Sequence, residues 1–207
     1  MRPKFLLAIA LLASATGTIA AAQSTAPANT NPAAVTPGRY AVEPSHTRLQ
    51  FSLSHMSFTH WYGDLTGASG SLVLDPKNPA ATKVDVTLPV ASIATTNAKL
   101  DEELRGPQWL DANAYPTIRF ASTRVLRTGP RAATLTGNLT FHGVTRPVAL
   151  KAVFNGAGVD PIAKAYTVGF DGTATIRRSD FGVKTYVPLI GDTVDIRISA
   201  AFVQASS

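Results

Sequence analysis

Apolar and polar residues alternate with a period of two along most of the chain after residue 46. In Thr47 to His55, Leu49, Phe51, Leu53 and His55 share one parity, and Arg48, Gln50, Ser52 and Ser54 share the other. Successive side chains of a strand point to opposite faces, so this pattern predicts a strand with one buried side. The alternation is clearest from Gly137 to Leu150. There Leu135, Leu139 and Phe141 lead into a short polar break at Gly143, and Val144, Val148 and Leu150 follow on one face. Two such runs around a short glycine-containing break predict a β-hairpin spanning about residues 132–154.

Five further strands are expected. Tyr62 to Leu74 carries Gly63, Gly67 and Gly70, as a bent strand does. Lys83 to Val90 alternates through Val84, Val86 and Leu88, and Pro116 to Val125 through Ile118 and Phe120. Tyr166 to Ile176 places Val168, Phe170, Ala174 and Ile176 together, and Thr193 to Val203 does so with Val194, Ile196 and Ile198. Asp75 to Pro79 reads as a turn. One segment departs from the period: Lys99 to Arg105 holds helix formers and ends at Gly106-Pro107, which predicts a short helical excursion. About eight antiparallel strands over Arg39 to Gln204 predict an all-β closed barrel or sandwich. An eight-stranded barrel is wide enough to be filled by side chains or to hold one small ligand.

The first residues stand outside this pattern. Arg2 and Lys4, the apolar run Phe5 to Ala13 and the small residues Ala20 to Ala22 have the layout of a secretory signal peptide over residues 1–22. Export, most simply to a periplasm, is the expected location. Residues 23–38 are rich in Ala, Thr, Asn and Pro, with Val35 as the large apolar residue, and are expected to form a disordered linker. The domain is expected over 39–204. Formal net charge is +6, or +4 without Arg2 and Lys4. Lys and Arg are scattered rather than grouped on one face, which argues against a nucleic-acid partner. The chain has no cysteine, which removes disulfides and thiolate chemistry.

Six segments in order resemble one known family. They are Tyr40 to His46, Phe51 to Met56, the excursion Thr95 to Trp109, Tyr115 to Phe120, Gly137 to Val148, and Arg178 to Gly182. Together they resemble the YceI-like family of periplasmic lipid-binding proteins across Arg39 to Phe202. The resemblance implies an extended eight-stranded, lipocalin-like antiparallel barrel. Its members hold a polyisoprenoid, an isoprenoid quinone or a fatty amide in a long hydrophobic tunnel, often as dimers. Glu43 stands where the family usually has Asp, and Thr47 where Ser commonly follows the histidine. Phe58 to Tyr62 is more aromatic than the family's small-residue stretch.

Candidate chemistry is sparse. His46, His55 and His60 lie close in sequence, but a zinc site needs three or four converging ligands, and the parities of His46 and His55 oppose one another. His55 reads instead as a polar residue near a barrel mouth, able to meet a ligand head group. Arg178 has two readings: a salt bridge with Asp180 that ties down a loop capped by Phe181, or a head-group contact. Asp101, Glu102 and Glu103 read as a solvated charge run, and no nucleophile with a base is evident, so an enzyme is not expected.

The expected tunnel lining comprises Leu49, Phe51, Leu53, Val84, Val86 and Ile118, continued by Phe120, Leu139, Phe141, Val148, Phe170, Ile176, Ile196 and Ile198. His55, Arg178 and Phe181 are expected at its mouth. With no metal and no cofactor beyond a bound isoprenoid or quinone, the expected function is a non-catalytic carrier of a long-chain isoprenoid or other lipid. A second copy of the chain is an expected partner. The alternatives are an accessory redox partner presenting quinone to a membrane cytochrome, and a small barrel enzyme.

Overall fold

The computed structural model describes residues 27–205; the signal-peptide reading and residues 23–26 of the linker lie outside them. Nine strand segments and one α-helix follow in order: β1 (Gly38–His55), β2 (Thr59–Leu65), β3 (Ser69–Leu74), β4 (Lys83–Pro89), α1 (Ala98–Arg105), β5 (Thr117–Arg127), β6 (Ala132–Phe141), β7 (Val144–Val159), β8 (Tyr166–Arg177) and β9 (Thr193–Gln204). Each strand from β3 to β9 pairs antiparallel with the next, and β9 pairs back onto β1, which closes the sheet.

Nine segments make an eight-position barrel because β2 and β3 share one place. Gly38 to Ala41 of β1 pair with β3, whereas Leu49 to His55 pair with β2. The expected bent strand Tyr62–Leu74 is therefore two strands, parted at residues 66–68, with Gly67 and Gly70 both at positive φ. On β1 the matching irregularity falls between Glu43 and Arg48, where the register with β9 shifts. Its polar residues replace the lost ladder bonds. The Glu43 carboxylate accepts from the amides of Ser45 (3.1 Å) and His46 (2.7 Å). The Thr47 hydroxyl donates to the Ala201 carbonyl and accepts from the Ala201 amide. β1 thus bends and changes partners while side chains at the shift bond to the local backbone and to Ala201.

The hairpin forms as expected. β6 and β7 meet at a two-residue turn, His142 at φ 50° and Gly143 at φ 72°, which is the backbone handedness a tight hairpin requires.

Inside, two clusters divide the barrel. At the end carrying the excursion, Trp109, Leu110, Phe141, Phe181, Val183 and Ile190 pack into a dense plug with Leu65, Leu88 and Ile93. Toward the other end, Tyr40, Leu72, Phe154, Val168 and Phe202 gather around Val35.

That second cluster corrects the linker expectation. From Pro27 the segment is built onto the barrel. β7 runs past the start of β6, and Asn29 pairs with the exposed edge: Asn29 N–H donates to the Ala157 carbonyl (2.8 Å) and Ala157 N–H to the Asn29 carbonyl (2.9 Å). A 3-10 turn follows at Pro32–Ala34, capped by the Asn31 side chain. Val35 is then buried, the Thr36 amide donates to the Tyr166 hydroxyl (3.1 Å), and the Tyr40 hydroxyl donates to the Thr36 carbonyl. Burial, with Tyr166 beside it, pushes the Tyr40 hydroxyl up to about 12, so it remains a donor at neutral pH. One buried valine and a covered strand edge offset the ordering entropy that composition alone suggested was too large.

Gly158 is the position that lets this strap lie flat, since a Cβ there would sit 2.4 Å from the Pro27 carbonyl oxygen. In a Gly158→Val variant the strap is expected to detach while the barrel stays folded. Hydrogen exchange checks this: the Asn29 and Ala157 amides should lose protection, and protection equal to that of the parent protein would refute the role of Gly158.

Candidate functional site

Between the plug and the turns at 75–82 and 128–131 the barrel is hollow. The cavity has a volume of about 550 Å³, within the range of roughly 300–1,000 Å³ usual for small-molecule sites. Its walls are the inward-facing residues of the strands, aliphatic or aromatic almost throughout. The hollow exists because small residues occupy inward positions side by side: Ala133 on β6 pairs with Ala152 on β7, which pairs with Gly172 on β8. At the other end the excursion and the 178–190 segment insert Trp109, Leu110, Phe181, Val183 and Ile190 among the strand residues, and the interior is solid.

Ten of the residues expected to line a tunnel do line this cavity: Leu49, Val84, Val86, Ile118 and Phe120, then Leu139, Val148, Phe170, Ile196 and Ile198. The other seven lie outside it. Phe51, Leu53, Phe141 and Ile176 face inward as their parity requires, and Phe181 is buried in the 3-10 turn Arg178–Phe181, but all five belong to or pack against the plug. Parity tells which face a side chain takes and not how far along the barrel it sits. His55 ends β1 beyond the plug, edge-on to Trp61 at 5.5 Å between ring centroids.

Arg178 is also in the plug, and its partner is not Asp180. The side chain is 3% exposed. Nε donates to the Gly191 carbonyl (2.9 Å), Nη1 to Val183 (3.0 Å), and Nη2 to Thr185 (2.9 Å) and Ile190 (2.8 Å). Its guanidinium carbon lies 5.4 Å from the Trp109 ring centre. Burial pushes its pKa down, and nearby Asp192 acts in the opposite sense. Arg178 therefore gathers the carbonyls of the 183–191 loop and ties that loop to the excursion. The neighbouring Arg177 takes the carboxylate, pairing with Asp192 at 3.0 Å. Burial raises the Asp192 pKa, but hydrogen bonds from Ser179 and Arg177 outweigh that and hold it below the usual aspartate value.

The excursion is structural as well. The Asn97 side chain caps α1. Asp101 accepts from the amide and hydroxyl of Thr95 (both 2.6 Å), and Glu103 accepts from the Trp109 indole (3.0 Å). Two acids expected to form a solvated face thus brace the excursion from within, tying α1 to its first and last residues. His46 pairs with Glu43 at 2.6 Å, and His60 is exposed. Among the described residues no group of three His, Cys, Asp or Glu is placed to hold a metal ion.

Sequence reasoning passed over several wall residues. Leu135 and Leu150 share the parity of Leu139 and Val148, so alternation alone was enough to find them. Thr30 to Ala33 and Val35 of the strap, and Arg127 and Arg131 beside it, also line the cavity at its open end. No periodic signal marks the strap residues or Arg131, whereas Arg127 shares the parity of Val125.

With this geometry in place, comparison with known proteins gives the family. Residues 40–202 match the model of the YceI-like domain. A UPF0312 protein of Pseudomonas savastanoi is 39% identical over 162 residues, covering 78% of this chain and 83% of the relative. One of Pseudomonas aeruginosa is 38% identical over 157 residues, covering 76% and 81%. Among solved structures, BcnA of Burkholderia cenocepacia is similar in fold with a TM-score of 0.70 at 24% identity, over 77% of this chain and 98% of that one. A polyisoprenoid binding domain from Saccharophagus degradans aligns with a TM-score of 0.63 at 11% identity, over 80% and 98%. The family match spans the barrel from the first inward tyrosine of β1 to the last inward phenylalanine of β9, and the chain belongs to the YceI-like domain family.

Proposed function

We propose that this protein is a non-catalytic carrier, acting outside the cytoplasm, that holds the apolar tail of a long isoprenoid or similar lipid in its half-hollow barrel. The observation that carries this reading is the 550 Å³ cavity with apolar walls. The fold neighbour from Saccharophagus degradans, described as polyisoprenoid binding, supports the same ligand class. Magnitudes favour a long tail over a short one. Each buried methylene contributes about 0.8 kcal/mol, and association costs roughly 4–15 kcal/mol. At the lower cost about fifteen buried methylene equivalents leave a net of about 8 kcal/mol, or micromolar affinity, and a higher cost demands a longer tail.

The carrier reading also draws support from the state of the buried polar groups. Thr47, Thr95 and Arg178 are buried and bonded to protein atoms. Among the described residues no buried side-chain nitrogen or oxygen lacks a partner. Such groups stabilise the fold rather than stand ready for a substrate.

Organic extraction of protein purified from a bacterial host, followed by mass spectrometry, tests the proposal. One long-chain lipid near a one-to-one ratio is the expected result. Extracts holding less than about a tenth of that amount would overturn it.

A further inference from the structure

The open end of the cavity carries two guanidinium groups that no carboxylate neutralises. Arg127 has the parity of Val125, which is buried in the cavity wall, while Leu126 between them is 51% exposed. Arg127 therefore leaves β5 on the cavity side, and Arg131 follows in the turn before β6. Both guanidinium groups are anchored by main-chain carbonyls. Arg127 donates from Nε to Gly129 (3.0 Å) and from Nη2 to Pro130 (3.1 Å). Arg131 donates from Nε to Phe154 (2.8 Å) and from Nη2 to Asn155 (3.2 Å). In each case one edge of the fork is engaged and Nη1 stays available.

Three other arginines are paired with acids, Arg48 with Asp64, Arg119 with Asp85, and Arg177 with Asp192, whereas Arg39, Arg105, Arg124, Arg146, Arg178 and Arg197 have no carboxylate partner among the described residues and lie away from the cavity mouth. Among the described residues Arg127 and Arg131 have no such pair. Asp75 lines the same mouth, but its Oδ1 accepts the Lys77 amide (2.9 Å) within its own turn. Two anchored cations thus stand at the brim of an apolar hollow.

We infer that this rim binds the anionic head of an amphiphile, a carboxylate or a phosphate, whose tail occupies the cavity. The inference rests on the lipid-carrier reading above and names the class of head group. A guanidinium presents donors in the fork geometry that carboxylate and phosphate oxygens match. Anchoring by carbonyls removes much of the side-chain freedom otherwise lost on binding. Arg127 and Arg131 are both exposed, so their attraction for an anion acts through solvent and is screened by salt. A neutral head makes weaker hydrogen bonds there and gains nothing from the charge.

The test compares cis-parinaric acid with its methyl ester, which share a tail and differ by one charge, by fluorescence titration of the delipidated full chain. The acid is expected to bind about tenfold more tightly than the ester at low salt, with added salt weakening the acid far more than the ester. In an R127A/R131A double variant, with its folding checked by thermal melting, the acid-to-ester ratio should fall to near one. An R127K/R131K variant, which keeps charge but loses the fork, should give an intermediate ratio. Inorganic phosphate at millimolar concentration should weaken the acid toward the ester's affinity and leave the ester unchanged, which marks the rim as the shared anion site. Tight and equal binding of acid and ester by the parent protein, or displacement of both by phosphate, would overturn the head-group inference and leave the carrier reading standing. Failure of both lipids to bind would remove the carrier reading itself.

Discussion

Replacing Arg178 with alanine is expected to lower the free energy of unfolding by about 3–5 kcal/mol, a large part of the roughly 5–15 kcal/mol that holds a domain folded. The reason is the number of groups that depend on this side chain. It donates to the carbonyls of Val183, Thr185, Ile190 and Gly191, and it sits against the Trp109 ring. Each buried acceptor left without a donor costs on the order of 1–3 kcal/mol, less whatever relaxation and water penetration recover. Arg178→Lys is expected to regain less than half of the loss, since a single ammonium cannot reach four carbonyls spread around a planar fork. Urea denaturation followed by tryptophan fluorescence measures both variants. A loss below about 1 kcal/mol for the alanine variant would mean that the 183–191 loop does not need this centre. Because Arg178 lies in the plug and not in the cavity wall, any lipid loss in this variant should track unfolding.

The opposite outcome, lost ligand with stability intact, is expected from filling the hollow. Ala152 lies on the inward face of β7 beside Ala133 and Gly172. A tryptophan at 152 projects into the space that these small neighbours leave. It adds apolar contacts where there were none, so its own burial offsets much of the strain of fitting it. Ala152→Trp is expected to retain at most about a tenth of the parent's extractable lipid, with a melting temperature within a few degrees of the parent. Full lipid retention at unchanged stability would show that the tail lies somewhere other than this cavity.

The strands were legible because one face of each is buried, and burial on one face forces a period of two. This applies to Leu135, Leu139 and Phe141, and equally to Ile196 and Ile198. What the period omits is position along the barrel axis. Phe141 and Leu139 share a face two residues apart, yet one belongs to the plug alone and the other also reaches the cavity wall. The break between β2 and β3 was signalled by Gly67 and Gly70, but only the partner change of β1 shows why the chain must bend there.

The strap was not legible. Pro27 to Val35 has no period, and its order comes from the overhanging edge of β7, a feature more than a hundred residues away in the chain. Arg178 was singled out by its family motif, but its role was not readable, because its partners are main-chain carbonyls that carry no sequence signal. Of the segments that carried the family resemblance, Phe51 to Met56, the excursion and Arg178 to Gly182 lie at the plugged end, while Tyr115 to Phe120 and Gly137 to Val148 also supply the cavity-wall residues Ile118, Phe120, Leu139 and Val148. They mark the stopper and the part of the chamber next to it, and leave the far end of the chamber unmarked.

That stopper makes the lumen a cul-de-sac rather than a pipe. A chain threaded into it has to leave by the way it came, with its far tip emerging last. If the barrel acts as the proposed carrier, an acceptor meets the polar terminus first and the lipid is handed over in one fixed orientation.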